Sequence, residues 1–361
     1  MNGSDLVAVI LAGGAGTRFW PLSTEGRPKQ FLRLLDDKSL LRASFERIAG
    51  ILDSQRILVM TNREFVKLVQ KELPEVPESN ILGEPCRRDT AAAVCLAALV
   101  GKKRWGNPVM AVLTADHLIW PLEDFHRVLL SASQMARQTG ALYTLGISPS
   151  HPATGYGYLE LGEMLLEHDG VRHFQVRRFR EKPDLETATE FVSSGRFMWN
   201  SGMFIWTVEA VIQEMRLHLP SHLEELSRAV EKLEEPGWEK TLQKAFDALE
   251  SISVDYGVME KASNVRCAVG SFRWSDVGGW SAMVEFLPKD SEGNAFRGKL
   301  FGEDSEGNLV FCENEQETVA LLGVHGLIVV RAGEKTLVAR MDKAEQLKTL
   351  VNKFKEKLDP R

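Results

Sequence analysis

The chain has 361 residues, of which 44% are hydrophobic and 26% are charged, and its formal net charge is −6. This length and composition predict an ordinary globular protein of about two domains, at roughly 150 residues each. The negative net charge excludes the broad positive field that would hold a nucleic-acid phosphate backbone, so no nucleic acid is expected as a partner.

The N-terminal apolar run and the cysteines do not indicate secretion or a membrane. The run from Leu6 to Ala12 follows Asp5 instead of Lys or Arg and leads directly into glycines, unlike a secretory signal. No segment approaches the ~20 consecutive apolar residues that span a bilayer. The four cysteines show neither a paired framework nor the close spacing of a zinc site. We therefore expect a cytoplasmic protein without a membrane partner.

Short apolar runs alternate with helical stretches over the first two thirds of the chain. The predicted strands are Val7–Leu11, Arg56–Met60 and Val109–Leu113. The predicted helices are Ser39–Ile48, Arg63–Lys71 after the cap Asn62, and Thr90–Trp105. This alternation predicts βαβ units in an open parallel sheet.

Beyond residue 150 the pattern changes to paired strands with helices between them. The predicted strands are Tyr156–Leu161, Arg177–Glu181 and Phe197–Trp206, which we interpret as additions to the sheet. The charged segment Leu219–Leu249 is predicted to be helical. Its apolar stripe is interpreted as core packing and consists of Leu223, Leu226, Val230 and Leu233.

The C-terminal part of the chain, from about Ala295 to Arg340, contains short β-rich runs separated by glycines. These runs are Leu309–Phe311, Thr318–Leu322 and Leu327–Val330, and they predict a small β domain or a partial β-solenoid. A Lys-rich helix from Lys343 to Lys357 is predicted to close the chain with a solvated basic face. We accordingly predict a larger domain over residues 1–290 and a β-rich tail over residues 291–361.

A glycine-rich loop, LAGGAGTRFW at residues 11–20, directly follows the first predicted strand. Gly13, Gly14 and Gly16 let the backbone approach a ligand, and consecutive amides there can cradle an anion. Arg18 adds a guanidinium suited to phosphate oxygens. The loop lacks both the Lys-Ser/Thr of a P-loop and the third glycine of a dinucleotide fingerprint. The alternative interpretation is a tight strand-to-helix turn that only requires glycine.

A second cation, Lys29, follows in the segment RPKQF, where Pro28 stiffens the backbone just before it. Two cations and a glycine cradle in one loop provide the charge neutralisation that a triphosphate requires. The pattern therefore favours binding of a nucleoside triphosphate.

The loop and RPKQF together resemble the signature of the sugar-nucleotide pyrophosphorylases, and FWPLS resembles the mannose-1-phosphate guanylyltransferase branch of that family. Seven further segments agree in order along the chain, so the resemblance covers residues 6 to about 340. These segments are EPCRRDTAAAV (84–94), TADHLI (114–119), TGYGYL (154–159), FREKPD (179–184), WNSGMFIW (199–206), SVDYGVMEK (253–261) and WSDVGGW (274–280).

This resemblance implies a fold and a reaction. The implied fold is a Rossmann-like open mixed α/β sheet of the nucleotidyltransferase, glycosyltransferase-A-like type, with a C-terminal partial left-handed β-helix. The implied reaction transfers GMP from GTP to α-D-mannose 1-phosphate and releases pyrophosphate, with Mg²⁺ as cofactor. Arg18 and Lys29 take the catalytic roles in it, by in-line displacement without a covalent enzyme intermediate. The implied nucleotide site comprises Leu11, Ala12, Gly13, Gly14, Gly16, Thr17, Glu84, Pro85 and Asp116.

Asp116 is the candidate metal ligand that the residues themselves suggest. It follows the strand Val109–Leu113, and ligand sites in open α/β sheets lie at the carboxyl ends of strands. Mg²⁺ takes one or two carboxylates plus substrate phosphates, and the resemblance supplies Asp276 as the second. From the residues alone, a helix N-cap is an equal alternative for Asp116. We interpret His117 as a packing or capping residue because magnesium prefers oxygen.

The hexose site is implied by the resemblance alone. Its matching positions are Gly155, Gly157, Glu181, Lys182 and Asn200. A polyol requires paired donors and acceptors, and its phosphate requires a cation, so the set is chemically consistent.

The resemblance implies that the main chain around Ala12 and Gly13 and the Glu84-Pro85 corner recognise the purine base. Three residues near this implied base site depart from the family pattern. Asp89 replaces an asparagine, Ala92 replaces a proline, and Thr114 replaces the proline before Ala-Asp-His. The added negative charge at Asp89 is expected to alter base or phosphate contacts. Two alternatives stay open, namely another pair of nucleoside triphosphate and hexose 1-phosphate, and a non-catalytic sugar-nucleotide binder. The sequence also leaves a homodimer open.

Overall fold

The computed structural model describes residues 5–14, 16–354 and 357. The strands are, in chain order, β1 (Leu6–Ala12), β2 (Ile57–Asn62), β3 (Ile81–Glu84), β4 (Val109–Thr114), β5 (Leu118–Trp120), β6 (Leu142–Ile147), β7 (Gly157–His168), β8 (Val171–Glu181), β9 (Phe197–Thr207), β10 (Val265–Val269), β11 (Arg273–Ser275), β12 (Ala295–Arg297), β13 (Lys299–Glu303), β14 (Leu309–Cys312), β15 (Thr318–Leu322), β16 (Leu327–Ala332) and β17 (Lys335–Arg340). The α-helices are α1 (Leu40–Ala49), α2 (Val66–Glu72), α3 (Asp89–Trp105), α4 (Leu122–Thr139), α5 (Leu185–Ser194), α6 (Val208–His218), α7 (Pro220–Glu231), α8 (Trp238–Ala248) and α9 (Leu347–Lys353).

The chain forms two compact units. Unit 1 comprises Met1–Gly13, Ser44–Ala115 and Ile119–Trp274. Unit 2 comprises Gly14–Ala43, Asp116–Leu118 and Ser275–Arg361. The chain therefore passes from unit 1 into unit 2 shortly after β1 and again shortly after β4. The functional boundary after residue 290 stays a prediction.

Unit 1 is built on a nine-stranded mixed sheet with the strand order β3-β2-β1-β4-β9-β6-β10-β8-β7. β1 pairs in parallel with β2 and β4, whereas β9 runs antiparallel to β4 and β6. Almost every residue of β1 is buried, as expected for an apolar strand at the centre of a covered sheet. The predicted open mixed α/β sheet is therefore confirmed.

The helices of unit 1 bury one continuous core with the sheet. The apolar stripe predicted within Leu219–Leu249 is buried in the same core cluster as α3, which confirms that the stripe is core packing. The stripe consists of Leu223, Leu226, Val230 and Leu233. The predicted cap before α2 is also confirmed, because the Asn62 side chain accepts a hydrogen bond from the Glu64 amide. In the part of the chain that the structure describes, no helix combines the length and apolar character needed to cross a bilayer.

The C-terminal part of unit 2 stacks short strands in parallel. β12, β14 and β16 form one parallel ladder, and β13 and β15 form a second one. Buried Asn308 links successive turns, since its Nδ2 atom donates to Asn294 Oδ1 at 2.9 Å and to the Val324 carbonyl at 3.0 Å. This confirms the predicted partial β-helix.

Two sequence-based expectations are wrong in detail. The helix predicted over Lys343–Lys357 begins as a 3₁₀ turn, Met341–Gln346, and becomes α-helical only at Leu347. Residues 355 and 356 of the predicted helix lie outside the described part of the chain. Asp116 does not cap a helix, because β5 follows it and Pro121 precedes α4. The capping alternative for Asp116 is therefore excluded.

Candidate active site

The glycine loop of unit 2 packs directly against Lys29. Gly16 has φ +61°, and a Cβ atom built on it would lie 2.3 Å from the Lys29 Cβ. Both the backbone conformation and this close approach therefore require glycine. Ser23 donates a hydrogen bond to the Gly16 carbonyl at 2.5 Å, which supports the turn. Ala15, between the glycines of the loop, lies outside the described residues.

Lys29 joins the two candidate metal ligands. It is 8% exposed, in the short 3₁₀ turn Lys29–Phe31. Its Nζ atom donates to Asp116 Oδ2 at 2.8 Å and to the Asp276 carbonyl oxygen at 2.6 Å. The Phe19 ring lies 5.9 Å from the same ammonium group, within the range of a cation–π contact. Residues that are far apart in sequence thus meet around one cation.

The Asp116 carboxylate is kept ionised by its partners. Burial opposes ionisation, but the Lys29 ammonium outweighs it and lowers the pKa of Asp116, with His117 adding to the effect. His117 Nε2 is 3.9 Å from Asp116 Oδ1, so the histidine lies beside the carboxylate. An ionised carboxylate is the form that binds a hard divalent cation.

The segment around Asp276 holds an unusual backbone conformation. Val277, the next residue, is fully buried and has φ +46°, which a β-branched residue rarely adopts. A Cβ atom built on Gly278 would lie 3.3 Å from both Asp276 carboxylate oxygens. The glycine therefore keeps the space beside the carboxylate open, and the strained valine marks the segment as a candidate functional position.

Arg18 is held by two groups of unit 2. Its Nη1 atom donates to the Gly278 carbonyl at 3.2 Å, and its Nε atom lies 3.1 Å from Glu345 Oε2. Nearby, Trp280 Nε1 donates to the Trp20 carbonyl at 2.9 Å. The loop, the Asp276 segment and the C-terminal 3₁₀ turn therefore meet at Arg18.

The residues implied for base recognition lie at the carboxyl ends of strands in unit 1. Gly13 follows β1, and a Cβ atom built on it would lie 3.9 Å from Glu84 Oε2 at the end of β3. Loss of hydration, with the negative charge of Asp89 added, raises the pKa of Glu84 to about 8. Asp89, which replaces the asparagine of the family pattern, therefore contributes to the raised pKa of the Glu84 carboxyl. This carboxyl is mostly neutral near pH 7, where it can donate as well as accept.

The residues implied for the hexose form one row across the sheet of unit 1. Gly157 on β7 is the register partner of both Glu181 on β8 and Asn200 on β9. A Cβ atom built on Gly157 would lie 2.3 Å from Glu181 Oε2 and 3.3 Å from Asn200 Cβ. Glycine therefore leaves room for the two polar side chains on either side of it.

The left-handed backbone conformation of Lys182 allows its side chain to lie beside that of Glu181. Neighbouring residues of a strand point to opposite faces, but Lys182 follows the last residue of β8 and has φ +45°. Its Nζ atom lies 3.1 Å from Glu181 Oε1. The strand end therefore presents a cation and a carboxylate together.

The structure separates the sequence-predicted residues into two groups. In unit 2 it brings together Gly16, Arg18, Lys29, Asp116 and Asp276. In unit 1 it brings together Gly157, Glu181, Lys182 and Asn200, whereas Gly155 is exposed in the loop before β7. Of the remaining predicted positions, Leu11 and Ala12 end β1, and Gly14 and Pro85 lie in the loops that follow β1 and β3. Thr17 begins the 3₁₀ turn Thr17–Phe19.

Sequence reasoning missed three polar residues at these groups. Thr144 is buried in β6 and donates to Asn200 Oδ1, Asp255 accepts from Asn200, and Glu345 pairs with Arg18. Only Asp255 had a sequence signal, since it lies in the segment SVDYGVMEK. The other two contacts join residues that are far apart along the chain.

Known proteins resemble this chain over nearly its whole length. The nucleotidyl transferase family profile matches residues 7–293, and the profile of the mannose-phosphate isomerase/GMP-like β-helix domain matches residues 299–354. A mannose-1-phosphate guanylyltransferase of Escherichia coli is 36% identical over 96% of this chain and 75% of its own length. One from Klebsiella pneumoniae is 37% identical over 97% of this chain and 74% of its own length.

A solved structure agrees with these relatives. It comes from Thermus thermophilus, is described as a mannose-1-phosphate geranyltransferase, and superposes with a TM-score of 0.87 at 34% identity. The match covers 97% of this chain and 99% of that one. The chain therefore belongs to the nucleotidyl transferase family and, within it, to the mannose-1-phosphate guanylyltransferases.

Proposed function

We propose that this enzyme transfers GMP from GTP to α-D-mannose 1-phosphate, giving GDP-mannose and pyrophosphate, with Mg²⁺ as cofactor. The observation that carries the proposal is the Lys29 cluster of unit 2, in which one buried ammonium group joins Asp116 to Asp276. The guanine and mannose assignments rest on the names of the relatives.

The side chains of this cluster fit a divalent cation. The Asp116 and Asp276 carboxylates are oxygen donors of the kind that Mg²⁺ prefers. The Asp116 carboxylate and the backbone carbonyl of Asp276 accept hydrogen bonds from the same ammonium group, which brings the two residues together. Within residues 5–14, 16–354 and 357, no three His, Cys, Asp or Glu side chains form a group able to hold a metal. Mg²⁺ sites with two carboxylates take their other ligands from substrate phosphates and water. Bound by Asp116 and Asp276, the ion would supply positive charge to the triphosphate.

The proposed chemistry is a direct in-line displacement. An oxygen of the sugar phosphate forms a bond to the α-phosphorus of GTP. The bond from that phosphorus to the bridging oxygen breaks, and its electron pair leaves with pyrophosphate. The attacking phosphate is already largely ionised near pH 7, so no general base is required.

The protein contributes positioning and charge to this displacement. Lys29 is buried and held by two acceptors, so its ammonium group is preorganised to donate to the α-phosphate. Arg18 provides a guanidinium for the charge that develops on pyrophosphate. In unit 1, Glu181 and Asn200 provide hydrogen-bonding groups for hexose hydroxyls, and Lys182 provides a cation for the sugar phosphate.

A pyrophosphate-release assay tests the proposal. Four nucleoside triphosphates would be combined with several hexose 1-phosphates in the presence of Mg²⁺. We expect GTP with mannose 1-phosphate to give the highest kcat/KM. A higher value for another pair would reassign the substrates, and ligand binding without turnover on any pair would indicate a non-catalytic binder. The homodimer and the cytoplasmic location stay predictions.

The metal assignment has its own variant. Asp276→Asn should abolish turnover at ordinary Mg²⁺ concentrations because it removes a charged ligand. Asp304→Asn is the matched control, since Asp304 also lies in unit 2 and its left-handed conformation, φ +49°, suits asparagine. Undiminished activity of Asp276→Asn with an unchanged Mg²⁺ dependence would show that the assignment is wrong.

A further inference from the structure

The Asp255 side chain ends a chain of hydrogen bonds in unit 1. Thr144 Oγ1 donates to Asn200 Oδ1 at 2.8 Å, and Asn200 Nδ2 donates to Asp255 Oδ1 at 3.0 Å. The Gly202 amide also donates to Asn200 Oδ1 at 3.3 Å. Thr144 is fully buried and Asn200 is 7% exposed. The amide of Asn200 is therefore oriented with its oxygen toward Thr144 and its nitrogen toward Asp255.

A β-bulge turns Asn200 toward these partners. On the ladder of β6 and β9, Thr144 pairs with Phe204 but Gly146 pairs with Asn200, so β9 carries extra residues at this point. Gly202 lies in the bulge with φ +68°, a conformation that suits glycine. Bulges of this kind redirect a side chain next to a functional site. Gly202, the glycine of WNSGMFIW, thus helps to direct the Asn200 side chain toward Thr144 and Asp255.

The backbone at Asp255 is anchored independently of Asn200. Asp255 begins a short π-helical turn, Asp255–Met259, in which the Glu260 amide donates to the Asp255 carbonyl at 2.9 Å. The preceding Val254 amide donates to Thr90 Oγ1 at 2.9 Å, at the start of α3. Such π turns are frequent at functional sites. The backbone that carries the Asp255 side chain is thus anchored on both sides.

Asp255 belongs to a cluster of charged groups around the strand end of β8. Loss of hydration and the nearby Glu181 carboxylate raise the pKa of Asp255 to about 7, although the Asn200 bond and Lys182 act in the opposite direction. Partial burial and the charge of Glu181 also raise the pKa of Glu260. Although burial opposes it, the pKa of Lys182 is raised, mainly by Glu181 and with a smaller contribution from Tyr256. Near neutral pH, Asp255 is therefore protonated in a large share of molecules.

We propose that Asp255 is a positioning residue for the hexose 1-phosphate, holding the Asn200 amide toward the sugar and limiting the negative charge beside Glu181. This inference rests on the proposed function. A sugar hydroxyl both donates and accepts, so the row around Gly157 must present both kinds of group. Among the described residues Asn200 Nδ2 donates only to Asp255, and this bond uses one of its two protons. The other proton is directed by that bond and can donate to a hydroxyl.

The same arrangement explains why a carboxyl group that can be neutral is suited to this position. The substrate phosphate carries almost two negative charges above pH 7, and Lys182 is the cation that meets it in the proposed site. A fully ionised pair of Asp255 and Glu181 would repel that phosphate. The KM for the hexose 1-phosphate should therefore rise several-fold between pH 7 and pH 8.5.

Two variants of Asp255 separate this role from a structural one. Asp255→Ala should raise the KM for mannose 1-phosphate about 10-fold or more, because the buried Asn200 amide loses the hydrogen bond that orients it, while the KM for GTP stays within about two-fold. Asp255→Asn should keep the KM at pH 7 within about three-fold and remove its rise above pH 7. Asp247→Asn, an exposed aspartate of α8, is the matched control and should match the parent enzyme.

Three results would overturn the proposal. They are a folded Asp255→Ala variant with unchanged KM for the hexose phosphate, an equal rise in KM for both substrates, and an Asp255→Asn variant that keeps the parent pH profile. Calorimetric titration of the same variants with mannose 1-phosphate alone needs no turnover. Weaker binding by Asp255→Ala there would support the role of Asp255 even if the transfer reaction were not observed, so the two hypotheses can fail separately.

Discussion

Replacement of Lys29 by methionine tests the central feature of the proposed chemistry. Methionine keeps most of the buried apolar stem but removes the ammonium group that donates at 2.8 Å to Asp116 and at 2.6 Å to the Asp276 carbonyl. Loss of one preorganised transition-state donor costs about 3–4 kcal/mol, or roughly 10²–10³-fold in kcat. We therefore expect a fall of that size in pyrophosphate release with GTP and mannose 1-phosphate.

The Mg²⁺ dependence gives this prediction a second, sharper readout. The Lys29 ammonium donates a hydrogen bond to Asp116 Oδ2, so it competes with a cation for that oxygen. Its removal should leave the Mg²⁺ concentration for half-maximal activity unchanged or lower. Loss of Asp276 should raise it instead, because a ligand is lost. The two substitutions are thus expected to reduce turnover for different, measurable reasons.

Arg27→Met provides the matched control for Lys29→Met. Arg27 lies in the same RPKQF segment, but its side chain is 37% exposed and forms an ion pair with Glu313. A surface pair of this kind contributes at most about 1 kcal/mol, so activity should stay near the parent value. Circular dichroism would establish that both variants are folded. Turnover of folded Lys29→Met within about five-fold of the parent enzyme would refute the role given to this lysine.

Three further outcomes follow from contacts within single units. Gly16→Ala should destabilise the protein by more than about 2 kcal/mol in urea titrations and lower activity, whereas Gly26→Ala, with open space around its Cβ position, should leave stability within about 0.5 kcal/mol. Glu345→Gln should lower the KM for GTP by up to about five-fold in steady-state kinetics, because it removes the exposed ion pair with Glu345 and leaves Arg18 available to the nucleotide. An unchanged KM would show that this ion pair does not affect nucleotide binding. Burial lowers the pKa of His173 from 6.5 to about 4. As the pH drops below about 6.5, this histidine is protonated in the unfolded chain but stays neutral in the folded protein, so the free energy of unfolding falls. Urea titrations should then show a loss of about 2 kcal/mol between pH 7 and pH 5, and a His173→Gln variant with the same loss would contradict this origin.

The central strands and some helices of unit 1, such as α2 and α3, could be predicted because their signals are local, whereas α4 was not predicted. β1, β2 and β4 are continuous apolar runs, and α3 is a long stretch of good helix formers. β6 was not predicted, because Tyr143, Thr144 and Gly146 interrupt its apolar pattern. β5 is only three residues long, which is too short for any periodicity to register.

The candidate site was less accessible to sequence reasoning because its geometry depends on register and on rare backbone conformations. The resemblance supplied Glu181 and Asn200, but their placement on either side of Gly157 follows from strand pairing across the sheet. The left-handed conformation of Lys182 could not be read from its residue type, since lysine disfavours it. Contacts such as that of Glu345 with Arg18 join distant parts of the chain and leave no local pattern.

The conformation of Val277 makes the position of the proposed metal ligand Asp276 sensitive to distant packing. Its positive φ is intrinsically unfavourable, so burial in the core of unit 2, together with Trp280 and the tail residues Phe311 and Ile328, must hold it in place. Mutations that loosen this core would let the valine relax and would shift the neighbouring Asp276 before the unit unfolds. On the proposed mechanism, substitutions in the β-helix tail should therefore change turnover without altering any residue that meets a substrate.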